Sequence, residues 1–232
     1  MLAASKYVNE LHGEHGERAQ LFIIEGGAGV GKTAYGANIL AEVHSLDGKE
    51  GNWDIEIFKR YMGFHPQKVL EKWNQAEEEK VFLWDDAGSW INSLDYQHPL
   101  IKKIGKQLQT IRTKYSCVIF TCLDADDLAK KIRMHTNAIT IKISLMGCEP
   151  RSEYISKKYK RTVVAKHWEK DWYDNFFRKD DWDESFCCYM PIHFYNWYKP
   201  IRKHYADMLT RLALKEAKQT AEVKSTFKFA EI

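Results

Sequence analysis

The chain has 232 residues and a mass of 27.2 kDa, with 44% hydrophobic and 29% charged residues, which suits one compact domain or one domain with a short extension. Its longest apolar runs have about four residues, and this excludes a transmembrane helix, which needs about 20. Five cysteines without CxxC or zinc spacing, and an N-terminus without an apolar signal-peptide region, predict a cytoplasmic protein.

The charge is unevenly distributed along the chain. Residues 1–150 carry 18 basic and 20 acidic side chains, a net charge of −2, whereas residues 151–232 carry 17 basic and 12 acidic side chains, a net charge of +5. The second part also holds 17 of the 31 aromatic residues. We therefore expect a core over residues 1–150 and a basic, aromatic-rich extension over 151–232 that packs on this core.

Hydrophobic patterning predicts an α/β core over about residues 20–144, preceded by a helix over about 3–11. Five strands are predicted, at Gln20–Glu25, Trp53–Phe58, Lys80–Trp84, Ser116–Cys122 and Ala138–Ser144. Helices are predicted between them, at Lys32–His44, from Pro66, at Pro99–Lys114 and at Asp126–Arg133. Because strands that alternate with helices form parallel sheets, we expect a five-stranded parallel sheet flanked by helices.

The pattern changes after the predicted core. Tyr159–Trp168 and Trp182–Met190 are typical of two strands, which we expect to form a β-hairpin extension. From about Pro200 the sequence is strongly helical, which predicts a long C-terminal helix.

One motif points directly to phosphate binding. The pattern GxxxxGK[ST] is complete between a predicted strand and a predicted helix, and comprises Gly26, Gly27, Ala28, Gly29, Val30, Gly31, Lys32 and Thr33. Its glycines allow backbone N–H groups to surround a β-phosphate, the lysine reaches the β- and γ-phosphates, and the Thr33 hydroxyl ligates Mg²⁺. The sequence thus predicts a P-loop NTPase that binds ATP and Mg²⁺.

Two acids follow the third predicted strand. Four apolar residues and then an acid form the Walker B pattern, which predicts that Asp85 enters the Mg²⁺ shell together with Thr33. Asp86 is in the position of a residue that activates water, although a strand-end acid that caps the next turn has the same pattern. Thr121 ends the fourth strand, which we expect to lie between the two Walker strands, and is a candidate contact for the γ-phosphate; a threonine there by β-propensity alone is equally consistent.

Efficient NTP hydrolysis commonly uses an arginine from a neighbouring subunit. Arg112 ends the long helix before the fourth strand, and Arg133 ends the helix before the fifth. Either is a candidate arginine finger of a ring-shaped homo-oligomer, and each is also placed to interact favourably with a helix dipole.

Basic residues provide a candidate surface for DNA. They are Lys102, Lys103, Lys106, Arg112, Lys114, Lys157, Lys158, Lys160 and Arg161. A solvated helix face gives the same pattern. The aromatic residues between Trp168 and Trp182 are candidates for base stacking, or for a core that docks the hairpin.

The chain resembles the small P-loop ATPases of crenarchaeal viruses and plasmids, some of which are described as similar to DnaA-type initiators. The resemblance spans roughly residues 20–210 and rests on GGAGVGKT, FLWDDAGSW, QTIRTKYSCVIFT, DLAKKIR and MPIHFYNWYKPIRKHYADML. It implies an ATP-dependent role on the DNA of a mobile element, in the host cytoplasm if the chain is viral. In place of the helical lid of AAA+ proteins, residues 145–190 are strand-rich, a pattern more similar to packaging, conjugation and secretion motors. Those motors often have Gln at the end of strand four, where this chain has Thr121 and Cys122, so the chain departs from both branches.

Three functions remain open from the sequence. The first is an oligomeric ATPase that packages or translocates DNA. The second is a nucleotide-switched replication initiator or loader, and the third is a small-molecule kinase built on the same phosphate-binding loop.

Overall fold

A computed structural model describes residues 1–13, 19–45, 51–93, 97–135, 137–145, 160–170 and 176–229. The chain divides into two compact units, residues 1–191 and residues 192–232. Among the described residues, none of the helices combines the length and apolarity needed to cross a membrane.

The first unit is an α/β fold with a mostly parallel central sheet and flanking helices. Its strands are β1 (Gln20–Glu25), β2 (Met62–Gly63), β3 (Glu79–Trp84), β4 (Tyr115–Thr121), β5 (Ala138–Leu145), β6 (Lys160–Lys170) and β7 (Phe176–Cys187). Its helices are α1 (Ala3–Gly13), α2 (Lys32–Val43), α3 (Ile55–Tyr61), α4 (Pro66–Gln75), α5 (Pro99–Thr110) and α6 (Lys130–Arg133).

The strand order in the sheet is β2-β3-β4-β1-β5-β6-β7. The first five strands of this order pair in parallel, whereas β6 and β7 add to the edge in antiparallel orientation. Strand β4 lies between β1 and β3, as the sequence predicted. Because β1, β3 and β4 pair in parallel, the carboxyl ends of all three lie at the same edge of the sheet.

The prediction of a five-stranded sheet is wrong, since the sheet has seven strands. The two later strands were predicted as an extension, but β6 pairs with β5 from Ile139↔His167 to Leu145↔Arg161 and so continues the same sheet. This pairing satisfies the backbone groups that an edge strand at β5 would leave open. Hydrophobic patterning identifies strands but not their long-range partners, and this explains the difference.

The prediction of a strand at Trp53–Phe58 is also wrong. Asp54 accepts a hydrogen bond from the Glu56 N–H (3.0 Å) and so caps helix α3, which runs from Ile55 to Tyr61. Phe58 and Tyr61, three residues apart, form its buried face. The second strand is reduced to Met62–Gly63 at the edge of the sheet.

The described residues of the second unit form one helix, α7 (Ile192–Phe229), with Pro200 inside it. The helix begins about eight residues before the predicted start, directly after Pro191. Phe194 and Tyr198 stack one turn apart, with ring centroids 5.7 Å apart and an interplanar angle of 7°.

Candidate active site

A tight glycine loop joins β1 to α2. Gly26, Gly29 and Gly31 have φ values of 147°, 77° and 102°, a region that residues with a side chain rarely adopt. At Gly26 a Cβ atom would also lie 2.6 Å from the carbonyl oxygen of Ile143 in β5. The loop conformation therefore requires glycine at these positions, and α2 begins directly after the loop at Lys32.

The Lys32 ammonium group is folded back over this loop. Its Nζ donates to the carbonyl oxygens of Gly26 (2.7 Å) and Gly27 (2.9 Å), and the residue is 9% exposed. Gly27 and the next two loop residues are exposed. The backbone of the loop is therefore accessible to solvent on one side, and the Lys32 ammonium group is hydrogen-bonded to its carbonyl oxygens.

The hydroxyl groups of two threonines converge on one carboxylate oxygen. Thr33 at the start of α2 and Thr121 at the end of β4 both donate to Oδ1 of Asp85, each at 2.8 Å. Asp85 and Thr121 are fully buried, and Asp85 directly follows β3. Three elements that are distant in sequence therefore supply one hydrogen-bonded cluster beneath the glycine loop.

Asp86 is held in an unusual backbone conformation. Within the described ranges it is the one residue other than glycine with positive φ, at φ 52° and ψ 34°. Its N–H donates to Thr121 Oγ1 at 2.7 Å, which fixes the turn. Non-glycine residues in the left-handed region cost about 1 kcal/mol or more and are often found at functional sites. Thr121 therefore positions both acids, because it donates to Asp85 and accepts from Asp86.

The oxygen atoms at this site would suit Mg²⁺ better than a transition metal. Within the described part of the chain, no group of three or more His, Cys, Asp or Glu side chains is placed to hold a metal ion. Mg²⁺ needs no such group, because it commonly takes one or two protein oxygens and completes its shell with water and phosphate oxygens. Asp85 Oδ1 and Thr33 Oγ1 are oxygens of this kind.

The two candidate arginine fingers lie elsewhere. Arg112 is exposed in the 3-10 turn Ile111–Thr113, at the amino end of β4, whereas Thr121 ends that strand. The seven residues of β4 separate the two ends by roughly 20 Å. Arg133 forms an ion pair with Asp126. Within the described residues, no hydrogen bond or ion pair joins either arginine to Asp85 or Asp86, and the role in a neighbouring subunit stays a prediction.

Strands β6 and β7 add contacts to the loop that the sequence did not predict. Arg161 Nε in β6 donates to the Val30 carbonyl oxygen at 2.8 Å. A Cβ atom on Gly31 would lie 2.9 Å from Cys188 Cβ and 3.6 Å from the Phe186 ring. The sequence predicts Arg161 as part of a DNA surface. Its partner Val30 lies 131 residues away, so no local pattern indicates this contact.

The same strand pair is tied to helix α2. Glu184 in β7 accepts a hydrogen bond from the Tyr35 hydroxyl group (2.6 Å) and another from the Ala3 N–H (2.9 Å). Burial, together with the charge of Glu184, raises the pKa of Tyr35 well above its ordinary value, so the phenol remains the donor. Helix α2 is thereby fixed on the side of β7.

The predicted basic surface is partly described. Lys102, Lys103 and Lys106 are exposed on α5, and Lys160 is exposed at the start of β6. Lys157 and Lys158 lie outside the described residues. Of the aromatic residues predicted to stack on bases, Trp172 and Tyr173 also lie outside them.

Comparisons with known proteins add little to this geometry. No family model matches the chain, and no curated protein matches it. Among solved structures, the chain is similar to the N-terminal domain of zonular occludens toxin from Neisseria meningitidis, with 13% sequence identity and a TM-score of 0.37. The match covers 77% of this chain and 98% of that one.

Proposed function

We propose that this chain is a P-loop ATPase that binds ATP with Mg²⁺ and hydrolyses it. The observation that carries the proposal is the convergence of Thr33 and Thr121 on Asp85 Oδ1. It joins the end of the GxxxxGKT loop, the Walker B acid and the intervening strand at one point, which is the arrangement that phosphoryl transfer requires.

The glycine loop is the phosphate site of this proposal. Backbone N–H groups of the loop and the N-terminus of α2 provide positive potential for the β-phosphate. Lys32 exchanges the carbonyl oxygens of Gly26 and Gly27 for oxygens of the β- and γ-phosphates, because a phosphate oxygen is the more strongly charged acceptor.

The acid cluster provides the metal and water sites. Thr33 and Asp85 would hold Mg²⁺, which neutralises phosphate charge when bound. Asp86 is the candidate to orient the attacking water, and its strained left-handed backbone supports this role, because such strain is often found at functional sites. As the water oxygen bonds to the γ-phosphorus, the bond from that phosphorus to the ADP oxygen breaks, and the released proton leaves with phosphate.

The finer part of the proposal is that the ATPase works on DNA of a virus or plasmid, as an oligomeric packaging or translocating motor. Its support is the family resemblance of the sequence and the exposed lysines of α5. In such an oligomer Arg112 or Arg133 would reach the nucleotide of the neighbouring subunit.

One experiment tests both the proposed ATPase activity and the proposed motor function on DNA. ATP turnover is measured with Mg²⁺, with and without DNA, beside a mass measurement in ATP and Mg²⁺. DNA-stimulated turnover by an oligomer supports the motor. DNA-independent turnover by a strict monomer contradicts the motor but leaves the ATPase intact, and the absence of turnover contradicts the ATPase.

Two further readouts distinguish the alternatives. A footprint at one DNA sequence that is lost without ATP would indicate a nucleotide-switched initiator. Transfer of phosphate to a nucleoside or small metabolite instead of water would indicate a kinase.

A further inference from the structure

A groove of about 920 Å³ runs between α5 and α6, on the unit that carries the active site. The residues that define its chemistry are Lys102, Gly105, Lys106, Lys130, Lys131 and Arg133. Every ionisable side chain among its described lining residues is a cation. One carboxylate lies close by, since Asp126 pairs with Arg133. The four lysines are exposed, so the groove as a whole attracts an anion.

Gly105 leaves the floor of this groove open. It lies in the interior of α5, where glycine is less favourable than alanine, and a Cβ atom there would meet nothing within 4 Å. The α5 surface is therefore open at this position, and the missing side chain allows a ligand to approach the helix backbone closely.

The apolar side chains of the groove are already covered. Ile101 is 7% exposed, Ala129 3% and Ile132 1%, which leaves Met134 at 37% as the accessible apolar side chain of the lining. The accessible surface of the groove is largely apolar carbon, to which the aliphatic stems of its lysines contribute. The exposed charged ends in the lining are those of lysines, so charge is the feature that selects a polyanion, and binding of an acidic helix is an outcome that the test distinguishes.

We propose that this groove binds the phosphate backbone of DNA. The proposal deepens the proposed function, on which it rests for the choice of DNA as substrate. Flexible lysines act as point charges towards phosphates, and none of the described lining residues is aromatic, so bases have no stacking platform here. Binding is accordingly independent of DNA sequence and strongly dependent on salt.

The groove is connected to the catalytic acids through the backbone. The Ala129 N–H at the start of α6 donates to the Ile91 carbonyl oxygen (3.1 Å), and Leu128 forms an antiparallel bridge with Asn92. Residues 91 and 92 follow the 3-10 turn Ala87–Ser89, which directly follows Asp86. A ligand that shifts α6 would thus move the segment that holds Asp86, which links DNA binding to ATP turnover.

The test measures binding of a mixed-sequence fluorescent DNA duplex without nucleotide, across a series of salt concentrations. Two double variants remove charge from the groove, Lys102→Gln/Lys106→Gln and Lys130→Gln/Lys131→Gln. The matched control, Lys6→Gln/Lys68→Gln, makes the same change in net charge on α1 and α4. Each groove variant is expected to bind about tenfold more weakly and to lower the slope of log K against log salt by about two, while the control stays within about twofold.

A second pair of variants separates shape from charge. Gly105→Leu fills the groove floor, and Thr110→Leu adds the same side chain at an exposed position of α5 outside the lining. We expect Gly105→Leu to bind DNA more weakly than the wild type and Thr110→Leu to bind it equally well. Thermal unfolding of both variants checks that they are folded.

The outcomes are distinct. Groove variants that bind DNA like the Lys6→Gln/Lys68→Gln control would overturn the proposal, as would a polyglutamate peptide that competes better than DNA of equal charge, which would indicate a protein partner. If the wild-type chain binds DNA but does not hydrolyse ATP, the proposed ATPase function is overturned and the assignment of the groove still stands.

Discussion

Thr121 Oγ1 lies 2.8 Å from Asp85 Oδ1 and accepts the Asp86 N–H at 2.7 Å. One hydroxyl group at the end of β4 therefore orients both acids that follow β3. The sequence suggested Thr121 as a contact for the γ-phosphate, and its full burial favours a role in positioning the acids.

Thr121→Val should preserve the shape of the side chain and remove both hydrogen bonds. Because Asp85 is buried, the loss of a donor should lower the free energy of unfolding by about 1–3 kcal/mol. We expect kcat for ATP to fall roughly 10–100-fold with a smaller change in KM. Thr121→Ser retains the hydroxyl group and serves as the control. A valine variant with wild-type kcat would contradict the positioning role.

Lys32→Ala should remove the cation that the glycine loop holds. Nucleotide affinity should fall at least roughly tenfold, because the phosphates lose a charge-assisted partner. Equilibrium binding of a fluorescent ATP analogue measures this. Lys72→Ala is a matched control, since Lys72 Nζ also donates to a backbone carbonyl, that of Met62, at 2.6 Å. Equal loss in both variants would indicate a defect in folding rather than in the site.

Asp86→Asn should leave nucleotide binding near the wild-type level and reduce kcat about 100-fold if the carboxylate orients water. Asp86→Gly is the informative companion, because glycine adopts φ 52° without strain. The glycine variant should be at least as stable as the wild type and yet inactive. Normal turnover in either variant would move the water-orienting role to another residue.

Arg161→Met should loosen the glycine loop. The guanidinium group fixes the Val30 carbonyl, so its loss should raise KM for ATP about 3–10-fold with kcat within about twofold. Arg178→Met is the control, because Arg178 stacks on Trp168 in the same strand pair. An unchanged KM in Arg161→Met would show that the contact does not position the loop.

Much of the fold could be predicted from local patterns. Strand β1 has the predicted bounds, and the bounds of β3, β4 and β5 lie within about one residue of the predicted ones. A short apolar run between polar residues is typical of a buried strand, so these strands could be found from the sequence alone. The 3-10 turn Ala125–Asp127 and the four-residue helix α6 replace the single helix predicted over that region. The alternation of apolar and polar residues in Trp53–Phe58 is typical of a strand. The segment is instead the start of helix α3, which Asp54 caps and which buries Phe58.

The parts of the candidate site that are contiguous in sequence could be predicted. The glycine loop and the Asp85–Asp86 pair are local motifs, and their neighbours in space follow from a parallel sheet with β4 between β1 and β3. The contacts of Arg161, Glu184 and Cys188 depend on how β6 and β7 join the sheet. That pairing is a long-range property which no local pattern encodes.

Acid stability should depend on His44 at the end of α2. Burial, and secondarily the charge of Lys80, lowers the pKa of His44 to about 4 from 6.5. The ring stacks on Tyr61, with centroids 4.3 Å apart, and its Nε2 has no hydrogen-bond partner among the described residues. The unfolded chain therefore binds a proton more readily than the folded chain, so stability is lost as the pH falls from about 6.5 to about 4.

His44→Phe should remove this dependence while it keeps the stacked ring. The pKa difference corresponds to at most about 3 kcal/mol of unfolding free energy across that range. Urea unfolding at pH 7, 6, 5 and 4.5 measures it, with His204→Phe in α7 as a control that removes a histidine from the second unit. The wild type and the control should lose stability more steeply than His44→Phe. Parallel curves for all three proteins would show that carboxylates, rather than His44, govern acid unfolding.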